Sequence, residues 1–174
     1  MKKRIIRVKF PTREEQRLEY IKSLSKDGIK MLLCYGVSQD KNTKKYNCDC
    51  GKANCRNAGK HPITKLFPRG EHSATTDKKI LVDAFKKHPN ANLAIVVDKF
   101  FVIDVDGPKG AAFMKEFKAP YTVRIKTGRG YHYYFRGTLP ESLKSIEQID
   151  IKTKGYVMFA TSRHISGVYY KRVS

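Results

Sequence analysis

The stretch FFVIDVDG (100–107) decides how this chain is read. Side chains on a strand alternate between two faces. Asp104 and Asp106 therefore point one way, and Ile103 and Val105 point the other. Two further stretches repeat the pattern. TGRGYHYYF (127–135) sets His132 on a strand, and QIDIKTKGYV (148–157) sets Asp150 and Lys152 opposite Ile149 and Ile151. The apolar residues predict the core face, which leaves the three acids on a cleft face. Hard oxygen ligands of this kind suit magnesium or manganese. Two such ions are what phosphoryl or nucleotidyl transfer requires. A lone Asp-Gly-Pro, as at 106–108, is more often a turn. Asp150 is harder to dismiss, because a buried carboxylate between isoleucines is costly without an ion or a base beside it.

The net charge is +20, from 36 Lys and Arg against 16 Asp and Glu. Such an excess predicts a polyanionic partner. The basic residues interleave with aromatics in YHYYFR (131–136) and VYYKR (168–172), a pattern that suits single-stranded nucleic acid. Sheet packing accounts for at least half of these tyrosines. No apolar run approaches the ~20 residues of a membrane span. The opening Met-Lys-Lys-Arg is not followed by the apolar region of a secretory signal. A cytoplasmic protein with reduced thiols is expected.

Four cysteines in 174 residues then need a reason other than disulfides. NCDCGKANCRNAGKHP (47–62) supplies one, with Cys48, Cys50, Cys55 and His61 in a short polar loop. Three thiolates and an imidazole fill the tetrahedral shell of a zinc ion, which can fold a loop that has no core of its own. A filled shell predicts one structural Zn²⁺ rather than a catalytic ion. Cys34, in MLLCYGV, reads as a small core residue.

Length suits one domain, 1–174, with the zinc-binding insertion at about 38–72. Thr12 and Glu15 form a capping box for a helix over 12–27, with Leu18, Ile21 and Leu24 at helical spacing. IKMLLCYGV (29–37) predicts one buried strand. A second helix runs over about 77–88, opened by Thr75 or Thr76, with Ile80, Leu81, Ala84 and Phe85 facing the core. Strands at 92–97 and 100–105, separated by Asp98-Lys99, read as a tight hairpin. A short helix at about 109–118 follows, then strands near 121–126, 131–136, 148–151, 155–160 and 167–172. The expected class is α+β, a mostly antiparallel sheet with flanking helices.

DxD, then Gly-x-His, then an apolar residue followed by Asp resembles the catalytic core of the archaeo-eukaryotic primase superfamily. The bifunctional primase-polymerase domains of plasmids, phages and mobile elements are the nearest likeness. NANLAIVV (90–97), SATTDKKI (73–80), GKHP (59–62), TGRGYH (127–132) and MFATSRHISGVYY (158–170) match further family motifs in order. The likeness covers about residues 12–170. It implies an RRM-like catalytic sheet and template-dependent joining of an NTP or dNTP to a 3′-hydroxyl on single-stranded DNA. Two Mg²⁺ or Mn²⁺ ions would be held by Asp104, Asp106 and Asp150, with His132 on the triphosphate. Lys126, Arg129, Gly130, Lys152, Ser162 and His164 complete the expected nucleotide pocket. The family's second motif often has Ser two residues before the histidine, where this chain has Gly130. Partners implied are template, primer and nucleoside triphosphates, with a helical domain and a helicase in a longer or partner protein; no membrane is implied.

Two other readings compete. A rolling-circle initiator or relaxase needs a His-x-His metal pair and a nucleophilic tyrosine on a helix. No His-x-His occurs, and Tyr133 and Tyr134 fall in a predicted strand. A non-enzymatic, zinc-dependent single-strand binder would not need three carboxylates on one face.

Overall fold

The computed structural model describes residues 10–118, 120–137, 139 and 146–174. The N-terminal Met-Lys-Lys-Arg lies outside them. Helix α1 (Arg13–Lys26) carries the expected capping box. Glu15 N donates to Thr12 Oγ1 at 3.2 Å, and Thr12 N donates to Glu15 Oε2 at 2.7 Å. Such a cap contributes about 1 kcal/mol. Ile21 is buried as expected, but Leu18 faces solvent and Arg17 takes the inner place. Its guanidinium lies 4.2 Å from the Phe85 ring centre and donates to Pro89 O at 2.9 Å, which ties the two long helices together. Burial lowers the pKa of Arg17 to about 10, so it stays charged.

The single strand expected over 29–37 is two. Strand β1 (Met31–Cys34) is buried throughout, and β2 (Val37–Gln39) pairs with β3 (Tyr46–Cys48) in a hairpin that opens the cysteine loop. Gly36, between β1 and β2, presses against the Asn90 carbonyl, where no Cβ fits. Helix α2 (Lys78–Lys87) is capped by Asp77 rather than by Thr75 or Thr76. The Asp77 carboxylate accepts from Lys79 N at 2.7 Å, and a negative group suits a helix N-terminus better than a hydroxyl. Leu81, Ala84 and Phe85 are buried; Ile80 is exposed.

Strands β4 (Asn92–Val96) and β5 (Phe100–Asp106) do not form the expected hairpin. β4 is buried at all five positions, with β1 on one edge and β9 (Tyr156–Met158) on the other, so no edge is left for β5. The chain crosses at Asp98-Lys99 into a second sheet. There β5 lies between β7 (Gly130–Arg136) and β8 (Ile149–Lys152). β6 (Val123–Lys126) and β10 (Lys171–Arg172) extend that sheet beyond β7. Every strand pairing is antiparallel. Helix α3 (Gly107–Glu116) starts at the end of β5, with Pro108 in its first turn. It brings Gly110 against Val105.

One core joins both sheets. Leu32, Leu33, Leu93, Ile95 and Val157 from the three-stranded sheet meet Val102, Ile125 and Tyr134 from the five-stranded one. These last three share the alternation phase of Asp104 and His132. The acids therefore share the face that packs the main core, not a face set apart from it. Of the residues expected inside, Val105 and Ile149 are buried on the other face, whereas Ile103 and Ile151 are only half-buried there. No helix among the described residues is long and apolar enough to cross a membrane.

Candidate active site and metal centre

Strand register builds the site. Asp104 lies opposite His132 on one side and opposite Asp150 on the other. Directly opposed residues of an antiparallel pair share a face. One row across the sheet therefore reads Ile125, His132, Asp104, Asp150. The next row reads Val123, Tyr134, Val102, Lys152. Asp106 stands two residues beyond Asp104, opposite Gly130. A Cβ at Gly130 would collide with the Val105 carbonyl, so glycine is what lets β5 and β7 approach here.

Each carboxylate is turned to its own positive or imidazole partner. Arg129 Nη2 lies 2.6 Å from Asp106 Oδ2, Lys152 pairs with Asp150, and His132 Nε2 lies 3.4 Å from Asp104 Oδ1. Tyr134 Oη sits 3.2 Å from His132 Nδ1 and fixes the ring. Burial, with the charges of Lys60 and Lys152, lowers His132 to about 4, so the imidazole is neutral at physiological pH. Burial and the nearby Asp106 charge push the Asp104 carboxyl up to about 6. Partly buried like charges resist ionising together.

Asp104 and Asp106 open into a cleft between the two sheets, whereas Asp150, paired with Lys152 in the same row, does not line it. A cavity of about 290 Å³ is lined by Asp104, His132 and Lys152 on one side and by Tyr156, Val157 and Met158 of β9 on the other. A smaller hollow of about 20 Å³ adjoins it, reached by Asp106, Gly128, Arg129 and His164. Lys60, Asp104, His132 and Tyr170 line both. A larger hollow of about 570 Å³ lies elsewhere, beside Tyr35, Asp49, Lys87 and His88, and contains none of the acids.

Not every expected pocket residue is there. His164 is, with its ring against Gly128, where a Cβ would strike it. Lys126 lines neither hollow; it pairs with Tyr131 and Lys171 in the phase opposite to Ile125, on the far face of the sheet. Ser162 is fully buried, donating to Leu93 O at 2.9 Å and accepting from Leu93 N at 3.0 Å, so its hydroxyl joins the last loop to β4. The Gly130 amide donates to Thr127 Oγ1 at 3.0 Å, and the Arg129 amide to the same oxygen at 3.3 Å. The loop's hydroxyl takes up the two amides that a phosphate would use.

Three residues of the cleft were not among the expected site residues, although Lys60 lies in the GKHP motif and Tyr170 ends the last one. Asn57 and Lys60 come from the cysteine loop, and Tyr170 from the last strand region. Asn92 does not touch the cleft but organises it. Its amide donates to Gly59 O at 2.8 Å and Arg163 O at 2.9 Å, and accepts from Arg163 N at 2.7 Å. A buried Asn ahead of an apolar run was the available clue.

In the cysteine loop the ligand atoms of Cys48, Cys50, Cys55 and His61 all lie within 4.8 Å of one another. Tetrahedral zinc–thiolate bonds of about 2.3 Å put ligands about 3.8 Å apart. Cys48 Sγ lies 3.4 Å from His61 Nε2 and accepts from Gly59 N at 3.5 Å; burial pushes this thiol up to about 11, with that hydrogen bond opposing the shift. The set could hold a metal ion. Cys34 is buried apart from it in the core, and burial raises its pKa.

Fold and site together define a mixed α/β protein with antiparallel sheets, an acid–histidine row in a cleft and a metal-capable knuckle. The family described as bifunctional DNA primase/polymerase, N-terminal, matches residues 26–174, and the chain belongs to it. Comparison with curated proteins and with solved structures finds no match.

Proposed function

We propose that the chain is the catalytic domain of a template-dependent DNA primase/polymerase. It joins a nucleoside triphosphate to a 3′-hydroxyl on single-stranded DNA, in replication of a plasmid, phage or mobile element. The observation that carries this reading is the register that sets His132, Asp104 and Asp150 in one row across the sheet, with His132 and Asp104 lining the cleft and Asp106 the hollow beside it. Membership of the primase/polymerase family supports it. On this reading residues 1–174 form one domain, the five-stranded sheet is the RRM-like catalytic sheet, and the knuckle is an insertion over about 38–72.

Asp104, Asp106 and Asp150 suit divalent cations, since all three are oxygen donors and Asp104 is held at about 6 by burial and its acidic neighbour. Bound there, two Mg²⁺ or Mn²⁺ ions would activate the primer hydroxyl and stabilise the triphosphate and leaving pyrophosphate. Neutral His132, oriented by Tyr134, offers its Nε2 side to a phosphate oxygen. Arg129, Lys152 and His164 ring the same space and counter the phosphate charge. Tyr156, Val157 and Met158 form the less polar wall, suited to sugar and base. Cys48, Cys50, Cys55 and His61 would hold one zinc ion, which closes the loop and takes no part in chemistry.

Of the tyrosine pair, Tyr134 is buried and Tyr133 is half-buried on a strand, so neither has the helical setting that a relaxase nucleophile needs. The deciding experiment incubates the protein with single-stranded template, annealed primer, labelled dNTPs or NTPs, and Mg²⁺ or Mn²⁺. Extension by wild type and none by Asp104→Ala is expected. No incorporation under any of these conditions would refute the reading.

A further inference from the structure

Lys60 is the cleft cation that is committed to nothing. Arg129 and Lys152 are paired with Asp106 and Asp150, whereas no ion pair among the described residues holds the Lys60 ammonium. It stands at the junction of the two hollows and lines both. The side chain is free, yet the backbone beneath it is fixed from two directions. On the core side, Lys60 O accepts from Tyr156 Oη at 3.0 Å and from Cys34 Sγ at 3.3 Å. Tyr35 N donates to the neighbouring His61 O at 3.0 Å. Asn92 holds Gly59 O. On the knuckle side, Gly59 N reaches Cys48 Sγ, and the His61 ring belongs to the Cys3His set. Lys60 N closes a turn onto Asn57 O at 2.9 Å. The chain thus spends a metal-capable set and six hydrogen bonds on three residues, the middle one a lysine that lines the cleft beside Asp104.

We infer that Lys60 directly contacts the triphosphate of the incoming nucleotide, and that the Cys3His knuckle is the support that delivers it. The inference rests on reading the cleft as a nucleotide site. A lysine on a flexible loop would lose much of its binding energy to ordering its own backbone. Pinned on both flanks, it is pre-organised, and only the side chain remains to be ordered. The knuckle then acts on substrate affinity through one side chain, with Cys48, Cys50, Cys55 and His61 as positioning residues.

The test measures binding rather than turnover. A non-hydrolysable deoxynucleoside triphosphate is titrated into wild type, Lys60→Ala and Lys60→Arg by calorimetry with Mg²⁺ present. The parent nucleoside serves as the phosphate-free control. Charge-assisted hydrogen bonds of this kind correspond to roughly a tenfold to hundredfold loss of affinity for Lys60→Ala. Lys60→Arg should recover part of it. Nucleoside binding, metal content and melting temperature should stay at wild-type values. Stripping the knuckle metal with a chelator should weaken triphosphate binding by wild type by a similar factor and by Lys60→Ala little further, as coupled sites require. Equal effects of stripping on both proteins would overturn the delivery role, and so would global unfolding on stripping. Loss of the metal from Lys60→Ala would overturn the direct contact. If wild type binds the triphosphate and Lys60→Ala binds it equally well, this inference falls alone. If wild type binds no triphosphate, the nucleotide reading of the cleft falls with it.

Discussion

The knuckle and the acid row are both sets of potential metal ligands, and the chain treats them in opposite ways. In the knuckle, four ligand atoms converge on one point within 4.8 Å. In the acid row, Asp104, Asp106 and Asp150 share a face, but each is turned to a different partner, His132, Arg129 or Lys152. Among the described residues only the knuckle forms a converged set of three or more donors. The difference is physical. Soft thiolates and an imidazole within a loop of 14 residues, 48–61, meet because short turns at Gly51 and Gly59 bring them together. The three carboxylates, two on β5 and one on β8, are held apart by the sheet and by mutual repulsion, and two of them are paired with cations. A structural site can be closed by its own chain. A catalytic one keeps its charge tension for the ligand.

The largest expected effect tests the acid row. Asp104→Ala should lower nucleotide incorporation by about a thousandfold or more, the scale of several kcal/mol of lost charge stabilisation. Single-stranded DNA binding should be unchanged or slightly stronger, because a negative charge is gone. Primer-extension gels and filter binding check both. Near-normal extension would remove the metal assignment.

The knuckle should respond differently. Cys50→Ser or Cys55→Ser should release zinc, seen by elemental analysis, and abolish amide protection over about 45–62. The sheets should keep theirs, because most of the core comes from the strands and from α1 and α2. A wild-type protein prepared without chelators that carries no zinc would end the contrast between the two sites.

Ser162 separates structure from chemistry. Ser162→Ala removes the acceptor of the buried Leu93 N, while Leu93 O keeps its bond from Phe159 N, so stability should fall by about 1–3 kcal/mol. Triphosphate affinity should not move. A selective loss of affinity with unchanged melting would return Ser162 to the pocket.

The smallest effect concerns Lys126. On the far face it can meet only nucleic acid, so Lys126→Ala should leave the nucleotide KM unchanged. It should reduce the salt slope of DNA binding by about one at most. A raised nucleotide KM would mean that the far face and the cleft communicate.

Much of this was legible residue by residue, and the failures share a cause. Thr12 with Glu15 announced its helix because a capping box is local. Asp104 and Asp106 declared a common face because alternation is local too. What alternation could not say was which face the second sheet would cover, so Ile103 and Ile151 were assigned to a core that Val102, Ile125 and Tyr134 occupy. The Asp98-Lys99 crossing had the length of a hairpin; only the two neighbours that β4 takes elsewhere reveal otherwise. Lys126 and Lys60 were misweighted for the same reason. Lys126 stood beside a motif and points away, while Lys60 lay inside the GKHP motif, was given no role, and lines the cleft.

Gly130 limits what can be exchanged between this chain and its relatives. The family pattern often has serine at that place, and here any side chain would meet the Val105 carbonyl on the neighbouring strand. Motif and strand spacing therefore constrain one another in this chain. A chimera that imports a serine-bearing loop into this sheet should fail, whereas one that imports the loop with its matching β5 should fold.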